Sequence, residues 1–311
     1  MKIAFNGIRS GFSNNGGSRT ILLSAQVLES LGHRCDIIAN VDNFDWFKHK
    51  SVINYLPDGL DVLIAVACSD VVPTLRLNVP KKAWYIRGHE NWTMTDDQLG
   101  QLYNSGIFNI VNSRGLQQLL TTYGADSKVV YQGIDFDWWE NKNVRSNDKI
   151  RIGCLYQEKP TKRWVDFVKL AEILGAEDYE YIGVGLKERN DEFLTRYWTN
   201  ASKEDLNEAY NSCHIWFAPT ELEGLHNVPI EAALCGCLIV CSDAPMNGMG
   251  FDYAFNNNTA MVYPARDINC AAELIKNSNW DVIERMDNHL RKNIGTRENN
   301  MKKMIKYLEE I

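Results

Sequence analysis

The sequence predicts an α/β protein of two doubly wound parallel-sheet domains facing a central cleft. Three observations predict it. The chain has 311 residues, more than one hydrophobic core usually serves. Short apolar, strand-like runs alternate with segments whose apolar residues recur at helical spacing. The alternation pauses at one polar stretch, Asn141 to Lys149 (NKNVRSNDK), and then restarts. These observations divide the chain into a domain over 1–145, a domain over 146–290, and a C-terminal helix in 291–311 that is free to pack back on the first domain.

Lys2 to Asn6 reads as a short buried strand, and a glycine-rich loop leads to a helix over Ser18 to Leu31. Gly32 ends that helix, and Asp36 to Ala39 resumes as a strand. Strand-like runs recur at Val62 to Ala67, Ala83 to Ile86, Phe108 to Asn112 and Val129 to Tyr131, with a helix over Arg114 to Tyr123 between the last two. Beyond the polar stretch, Ile150 to Leu155 is a strand, Lys162 to Leu174 a helix and Tyr179 to Gly183 a strand. Lys203 to Asn211 is then a helix and Ile215 to Ala218 a strand. Pro229 to Cys235 is a helix with proline in its favoured first turn, followed by the strand Leu238 to Cys241. Such alternation is the pattern of parallel sheets covered by helices.

Hydrophobic residues make up 45% and charged residues 23%, as in a folded globular chain. The formal net charge is -7, which does not suggest a nucleic-acid partner. The C-terminal MKKMIKYLEEI, Met301 to Ile311, alternates charge and apolar residues as a solvated helix does. No apolar run approaches the roughly 20 residues of a membrane span. Met1 to Asn6 runs into glycine and polar residues rather than a signal-peptide core, so a cytoplasmic location is expected. Eight scattered cysteines suit reduced, buried thiols better than a disulfide framework. Cys235, Cys237 and Cys241 have no histidine at ligand spacing, so they read as core residues and no metal site is expected.

The segment TELEGLHNVPIEAALCGCLIVCSD, Thr220 to Asp243, sets Glu223 and Glu231 eight positions apart around a loop that ends in proline and a short apolar helix. If Pro229 opens that helix, the amides of Leu225 to Ile230, those of Leu225, His226, Asn227 and Val228 among them, include unpaired donors at an N-terminus that favours an anion. A phosphate fits there. The two carboxylates bracket it and, as acceptors, hold hydroxyl groups. Ribose hydroxyls, a diphosphate and sugar hydroxyls follow one another in this way in a nucleoside diphosphate sugar.

Glu223, seven residues, Glu231, then AALCG and an apolar strand resemble the E-x7-E signature of family 4 glycosyltransferases of the GT-B fold. The resemblance implies that Glu231 binds the donor ribose and that Glu223 contacts the donor sugar near its reacting face. Further passages match in order. Asn14 to Asp36 (NNGGSRTILLSAQVLESLGHRCD) resembles the family's glycine loop and following helix, where Gly16 and Gly17 let backbone approach the diphosphate and acceptor; an ordinary strand-to-helix turn is the alternative. Asn112 to Gly124 and Val129 to Asp135 (VVYQGID) resemble the passage that closes the N-terminal lobe, with Ser113 also readable as a helix cap. Arg151 to Trp164 (RIGCLYQEKPTKRW) resembles the first strand and phosphate-contacting loop of the donor lobe. Cys154 and Leu155 stand where many members have an arginine after the glycine, so cationic duty falls to Lys162 and Arg163; solvated first-turn residues are the alternative.

Tyr85 to Trp92 (YIRGHENW) places Arg87, His89 and Glu90 on a loop after a strand, where open parallel sheets bind ligands. The resemblance makes His89 a contact to the donor sugar or acceptor hydroxyl, with Glu90 orienting it. Gly183 to Gly185 (GVG) falls where the family's nucleobase pocket begins, and Tyr197 and Trp198 read as core aromatics rather than as a base-stacking pair.

What the resemblance implies is a retaining, metal-independent glycosyltransferase that uses no cofactor beyond its nucleotide-sugar co-substrate, a UDP- or GDP-sugar. Glu223, His89 and Lys162 would act at the reacting centre. Gly16, Gly17, Arg163, Leu225, His226, Asn227, Val228 and Glu231 would bind the donor. The acceptor would be a glycan, a lipid-linked sugar or another hydroxyl compound. A viral-type transferase of modified DNA is one alternative, against which the absent basic stripe stands. A non-catalytic nucleotide-sugar-binding relative is another, kept open by the missing arginine. A dehydrogenase or epimerase would need a compact G-x-G-x-x-G after the first strand, and the chain has none there. The expected acceptor-facing loops, Asn40 to Lys50 and Asp70 to Val79, carry no chemical signature.

Overall fold

A computed structural model describes residues 1–13, 15–41, 52–145 and 148–311. Asn14, most of the expected loop Asn40 to Lys50, and Ser146 and Asn147 of the polar stretch lie outside the described residues. The chain forms two compact units, Met1–Ile134 with Gly295–Ile311, and Asp135–Ile294.

In the first unit β1 (Lys2–Phe12) leads to α1 (Gly16–Ser30), β2 (Arg34–Val41), β3 (Val52–Ile53) and β4 (Val62–Ala65). There follow α2 (Cys68–Arg76), β5 (Lys81–Ile86), α3 (Asp96–Tyr103), β6 (Phe108–Val111), α4 (Arg114–Thr122) and β7 (Lys128–Val129). The strands form one sheet in the order β3-β2-β1-β4-β5-β6-β7, and every pairing is parallel. A parallel sheet is covered on both faces, which is why Ile3, Ala4 and Phe5 in β1 and Val62 to Ala65 in β4 are all buried. Asn15 starts α1 by accepting the Ser18 amide at 2.8 Å, and Ser113 caps α4 by accepting that of Leu116 at 3.1 Å. The stretch Asp70 to Val79, read from sequence as a loop, is mostly the helix α2. Pro73 inside it hides the helical signal, since proline removes one ladder bond without forbidding so short a helix.

The second unit contains β8 (Ile150–Tyr156), a 3-10 turn over Pro160–Lys162, α5 (Trp164–Leu174), β9 (Tyr179–Gly185), β10 (Arg196–Thr199), α6 (Lys203–Ser212) and β11 (Ile215–Ala218). It continues through α7 (Asn227–Leu234), β12 (Leu238–Ser242), β13 (Met261–Tyr263), α8 (Ile268–Lys276) and α9 (Val282–His289), which ends in a π turn over Leu290–Ile294. Its sheet, β10-β9-β8-β11-β12-β13, is again parallel throughout. The GVG run finds a packing explanation here. Tyr197 pairs opposite Gly183, and a Cβ on Gly183 would come within 2.4 Å of its ring, one on Gly185 within 2.2 Å of its hydroxyl. Residues 135 to 145 pack within this unit: Asn207 and Asn211 donate to the carbonyls of Trp138 and Glu140, and the Arg145 guanidinium donates to those of Cys213 and Cys235. All eight cysteines are free, and seven of them are buried.

The last helix, α10 (Arg297–Glu310), belongs to the first unit. It is helical as its spacing predicts, but one face is core rather than solvent: Met301, Met304, Ile305 and Leu308 join the cluster that holds Ile21, Leu22, Ala25 and Leu28 of α1. Gly133 lets the returning chain pass, because a Cβ there would lie 2.2 Å from the Arg297 Cα, and its φ is +74°.

Candidate active site

In the second sheet the chain winds outward from β8 to β10 and then begins again on the other side of β8 with β11, so the strand order reverses between β8 and β11. Loops leaving the carboxyl ends of two such strands diverge to opposite sides and leave a crevice where ligands bind. The loop after β8 carries Lys162 and that after β11 carries Glu223. Hydrogen bonds to one carbonyl hold the two loops together: that of Thr161 accepts the Glu221 amide at 2.8 Å and the Thr220 hydroxyl at 3.2 Å. The Lys162 ammonium then reaches the Glu223 carboxylate in a direct ion pair, 61 positions away in sequence. His226 turns Nε2 toward the same carboxylate oxygen, at 3.7 Å.

A third loop, after β12, fixes this arrangement from behind. Glu223 and His226 donate their amides to the carbonyls of Met246 and Gly248, at 2.8 and 3.1 Å, and the Tyr253 hydroxyl donates to the His226 carbonyl at 2.5 Å. Gly248 has φ +71° and packs so closely on this segment that a Cβ would lie 2.7 Å from Glu223 Cβ and 3.0 Å from the His226 amide nitrogen. The helix α7 starts at Asn227, two residues before the proline that the sequence suggested as its start. Asn227 and Val228 therefore supply first-turn amides that the helical ladder leaves unpaired, while the His226 amide is used by Gly248. The Leu225 side chain is buried. Glu231, one turn further along α7, accepts a hydrogen bond from the Tyr210 hydroxyl at 3.3 Å.

Burial, with repulsion from Lys159 added, pushes the Lys162 ammonium down to about 7. Burial also holds the His226 imidazole well below its usual range, and Lys162 lowers it further, so His226 is neutral at pH 7. Arg163 is engaged differently. It sits in the left-handed region, φ 57°, at the start of α5, and that conformation is why the helix begins at Trp164 instead of Lys162. Its guanidinium grips the buried Asp166 through two bonds of 3.0 and 2.7 Å and faces Glu221 at 3.7 Å.

The first unit has its own reversal, between β1 and β4. Gly16 is exposed at the start of α1, and open space surrounds the position of a Cβ, whereas a Cβ on Gly17 would lie 2.8 Å from the Arg87 guanidinium. Arg87 donates to the carbonyls of Gly17 and Val66, at 2.5 and 2.6 Å. His89 is buried, with Nδ1 3.1 Å from the Tyr103 hydroxyl and Nε2 2.8 Å from Asp96. Its orienting carboxylate is thus Asp96 and not Glu90, which accepts the Cys68 amide at 2.7 Å and so serves the start of α2.

Sequence reasoning named Lys162, His226 and the Glu223 and Glu231 pair, without the contact between Lys162 and Glu223. It missed Lys159, Tyr210, Gly248 and Tyr253. Lys159 carried a readable signal, lying beside Pro160 in the same loop; the other three belong to segments with no chemical pattern of their own.

No protein-family model matches the sequence, and no curated protein resembles it significantly in sequence. The chain's class is defined by its three-dimensional form: two parallel-sheet α/β domains of the GT-B fold. A sucrose-phosphate synthase from Thermosynechococcus elongatus matches with a TM-score of 0.79 at 13% identity, over 100% of this chain and 98% of that one. A glycosyltransferase from Rickettsia africae matches with 0.77 at 15% identity, over 99% and 98%. Anabaena HepE, solved in complex with UDP and glucose, matches with 0.74 at 12% identity over the whole of both chains. At such identities the likeness establishes the fold.

Proposed function

We propose that this chain is a retaining glycosyltransferase that moves a sugar from a UDP- or GDP-sugar to an acceptor hydroxyl, on a glycan, a lipid-linked sugar or a related compound. The observation that carries the proposal is the Lys162–Glu223 pair at the strand-order reversal of the second unit, directly before the N-terminus of α7. A structure of the same fold in complex with UDP and glucose supports it.

In this reading the donor diphosphate lies against Lys162 and the first-turn amides of Asn227 and Val228. Glu231 takes the ribose hydroxyls and Glu223 the transferred sugar. In the first unit Gly16 has open space at the start of α1, whereas Arg87 fills the space beside Gly17 and both ring nitrogens of His89 are held by Tyr103 and Asp96, so the roles the resemblance implied for Gly17 and His89 are not carried into this reading. The bond from the anomeric carbon to the phosphate oxygen breaks through an oxocarbenium-like transition state, and its electron pair stays on the phosphate. The acceptor oxygen bonds to the same carbon on the side the phosphate leaves, and its proton passes to a phosphate oxygen. Charge growing on the leaving group is met by Lys162 and the helix amides, and one such preorganised donor is commonly worth about 3 kcal/mol. Arg163 contributes from a greater remove, since Asp166 and Glu221 hold it. No step calls for a cofactor or a metal. Among the described residues no helix is long and apolar enough to cross a membrane, and we place the chain in the cytoplasm.

The test is a thermal-shift screen with UDP, GDP, ADP and their sugars, followed by transfer and donor hydrolysis. A nucleotide that binds the folded chain raises its melting point by mass action. Glu223→Ala is expected to abolish transfer. A chain that binds nucleotide but neither transfers nor hydrolyses any donor would be a binding protein, and no shift with any nucleotide would overturn the donor site.

A further inference from the structure

His226 is a residue whose type nothing in the surrounding protein explains. It is the residue that precedes α7, yet its side chain makes no capping hydrogen bond, the usual reason for a polar residue there. It is 6% exposed, and neither Nδ1 nor Nε2 has a hydrogen-bond partner. The protein's contacts to this residue run through its backbone, with Gly248 taking its amide and Tyr253 its carbonyl. A buried polar group without a partner is costly, and most such groups in folded proteins are satisfied. An apolar side chain of like size would serve packing better.

The geometry around the ring shows what would satisfy it. Nε2 stands 3.7 Å from Glu223 Oε1, too far for a direct hydrogen bond and close enough that one oxygen atom can bond to both. Glu223, as a carboxylate, only accepts; a neutral imidazole with its proton on Nε2 donates. A hydroxyl group matches both, giving its hydrogen to Glu223 and accepting the Nε2 hydrogen on a lone pair. A phosphate oxygen does not match, because it has no hydrogen for the carboxylate.

We propose that His226 and Glu223 together bind one hydroxyl of the transferred sugar, and that His226 is thereby a determinant of which sugar the chain accepts. The inference rests on the donor site described above and deepens it. It assigns the imidazole itself, rather than the amide of this residue, to the ligand.

The test compares wild type, His226→Ala and His226→Gln by calorimetric binding of UDP and UDP-glucose, with GDP and GDP-mannose in parallel, and of the UDP-deoxyglucoses lacking one hydroxyl each. The expected result for His226→Ala is an unchanged affinity for the free nucleotide and an affinity for the nucleotide sugar reduced about tenfold, in line with one hydrogen bond to a buried group. His226→Gln, which keeps a donor, recovers most of the loss. One deoxy donor binds wild type and His226→Ala alike, because the contact is already missing. An equal sugar-to-nucleotide affinity ratio in wild type and His226→Ala overturns the inference while leaving the donor site standing. Equal weakening of nucleotide and nucleotide sugar also overturns it, since His226 would then only hold the loop. A wild-type chain that binds none of these nucleotides removes the donor site and this inference with it.

Discussion

Lys162 is the residue at which charge and chemistry meet. Its ammonium titrates near 7 in the folded chain and at 10.5 as an ordinary lysine. Between those values the unfolded chain holds the extra proton, so this group adds stability as pH rises through the window, and its cost is fully present below about 7. A bound diphosphate reverses the preference by placing negative charge beside the amine. UDP binding at about pH 8 is therefore expected to take up close to one proton, and affinity should fall as pH rises from about 7 to 9. Calorimetry in buffers of different ionisation enthalpy reads the proton directly. Binding that takes up no proton in wild type would show that Lys162 does not face the diphosphate. Lys162→Met should remove the proton uptake along with most of the nucleotide affinity.

Among the elements, three loops after β8, β11 and β12 matter most, because each constrains the next. The 3-10 turn that carries Lys162 is tied to Thr220 and Glu221, and the Glu223 to His226 segment is tied to Met246 and Gly248. Gly248→Ala introduces a side chain at φ +71° and 2.7 Å from Glu223 Cβ, and since the blocking atoms lie at the root of Glu223, the loop must move. Displacing a positioning residue by about 1 Å can cost on the order of a hundredfold in rate. We expect Gly248→Ala to lower transfer by about that much and to cost at least about 1–2 kcal/mol of stability, the penalty for a left-handed alanine before the collision is counted. Wild-type kinetics in this variant would show that the β12 loop does not set the position of Glu223. The short helix α7 adds its first-turn amides, and its early start at Asn227 makes those of Asn227 and Val228 the ones its ladder leaves unpaired.

At the scale of the whole molecule, the first unit is closed by a helix that arrives from the far end of the chain. Met304 is fully buried between α10 and the α1 side of the core. Met304→Ala should destabilise this unit by roughly 2–5 kcal/mol, the range for emptying such a site. In urea the midpoint should drop with the slope unchanged, and an unchanged midpoint would mean that α10 is not part of the folding unit. Much of the architecture was legible beforehand. The alternation of strand-like and helical runs announced two parallel sheets, Ser113 announced its cap, and the Glu223 to Glu231 spacing announced a helix tip flanked by carboxylates. What escaped was either masked locally, as Pro73 masked α2, or non-local, as with Asp96 at His89 and Tyr197 across Gly183.

By itself the sequence determined the kind and order of most elements, and the presence of a lysine, a histidine and a glutamate in loops that follow strands, with a second glutamate in the helix after them. These are properties of neighbours along the chain, written in periodicity and in turn chemistry. Only the tertiary structure decided that Lys162 meets Glu223, that Arg163 is already taken by Asp166, and that the His226 ring is buried with both nitrogens bare. The physical reason is that strand order within the second sheet, set by how that sheet buries its faces, brings together loops some 61 residues apart. No local pattern records which strands will lie side by side.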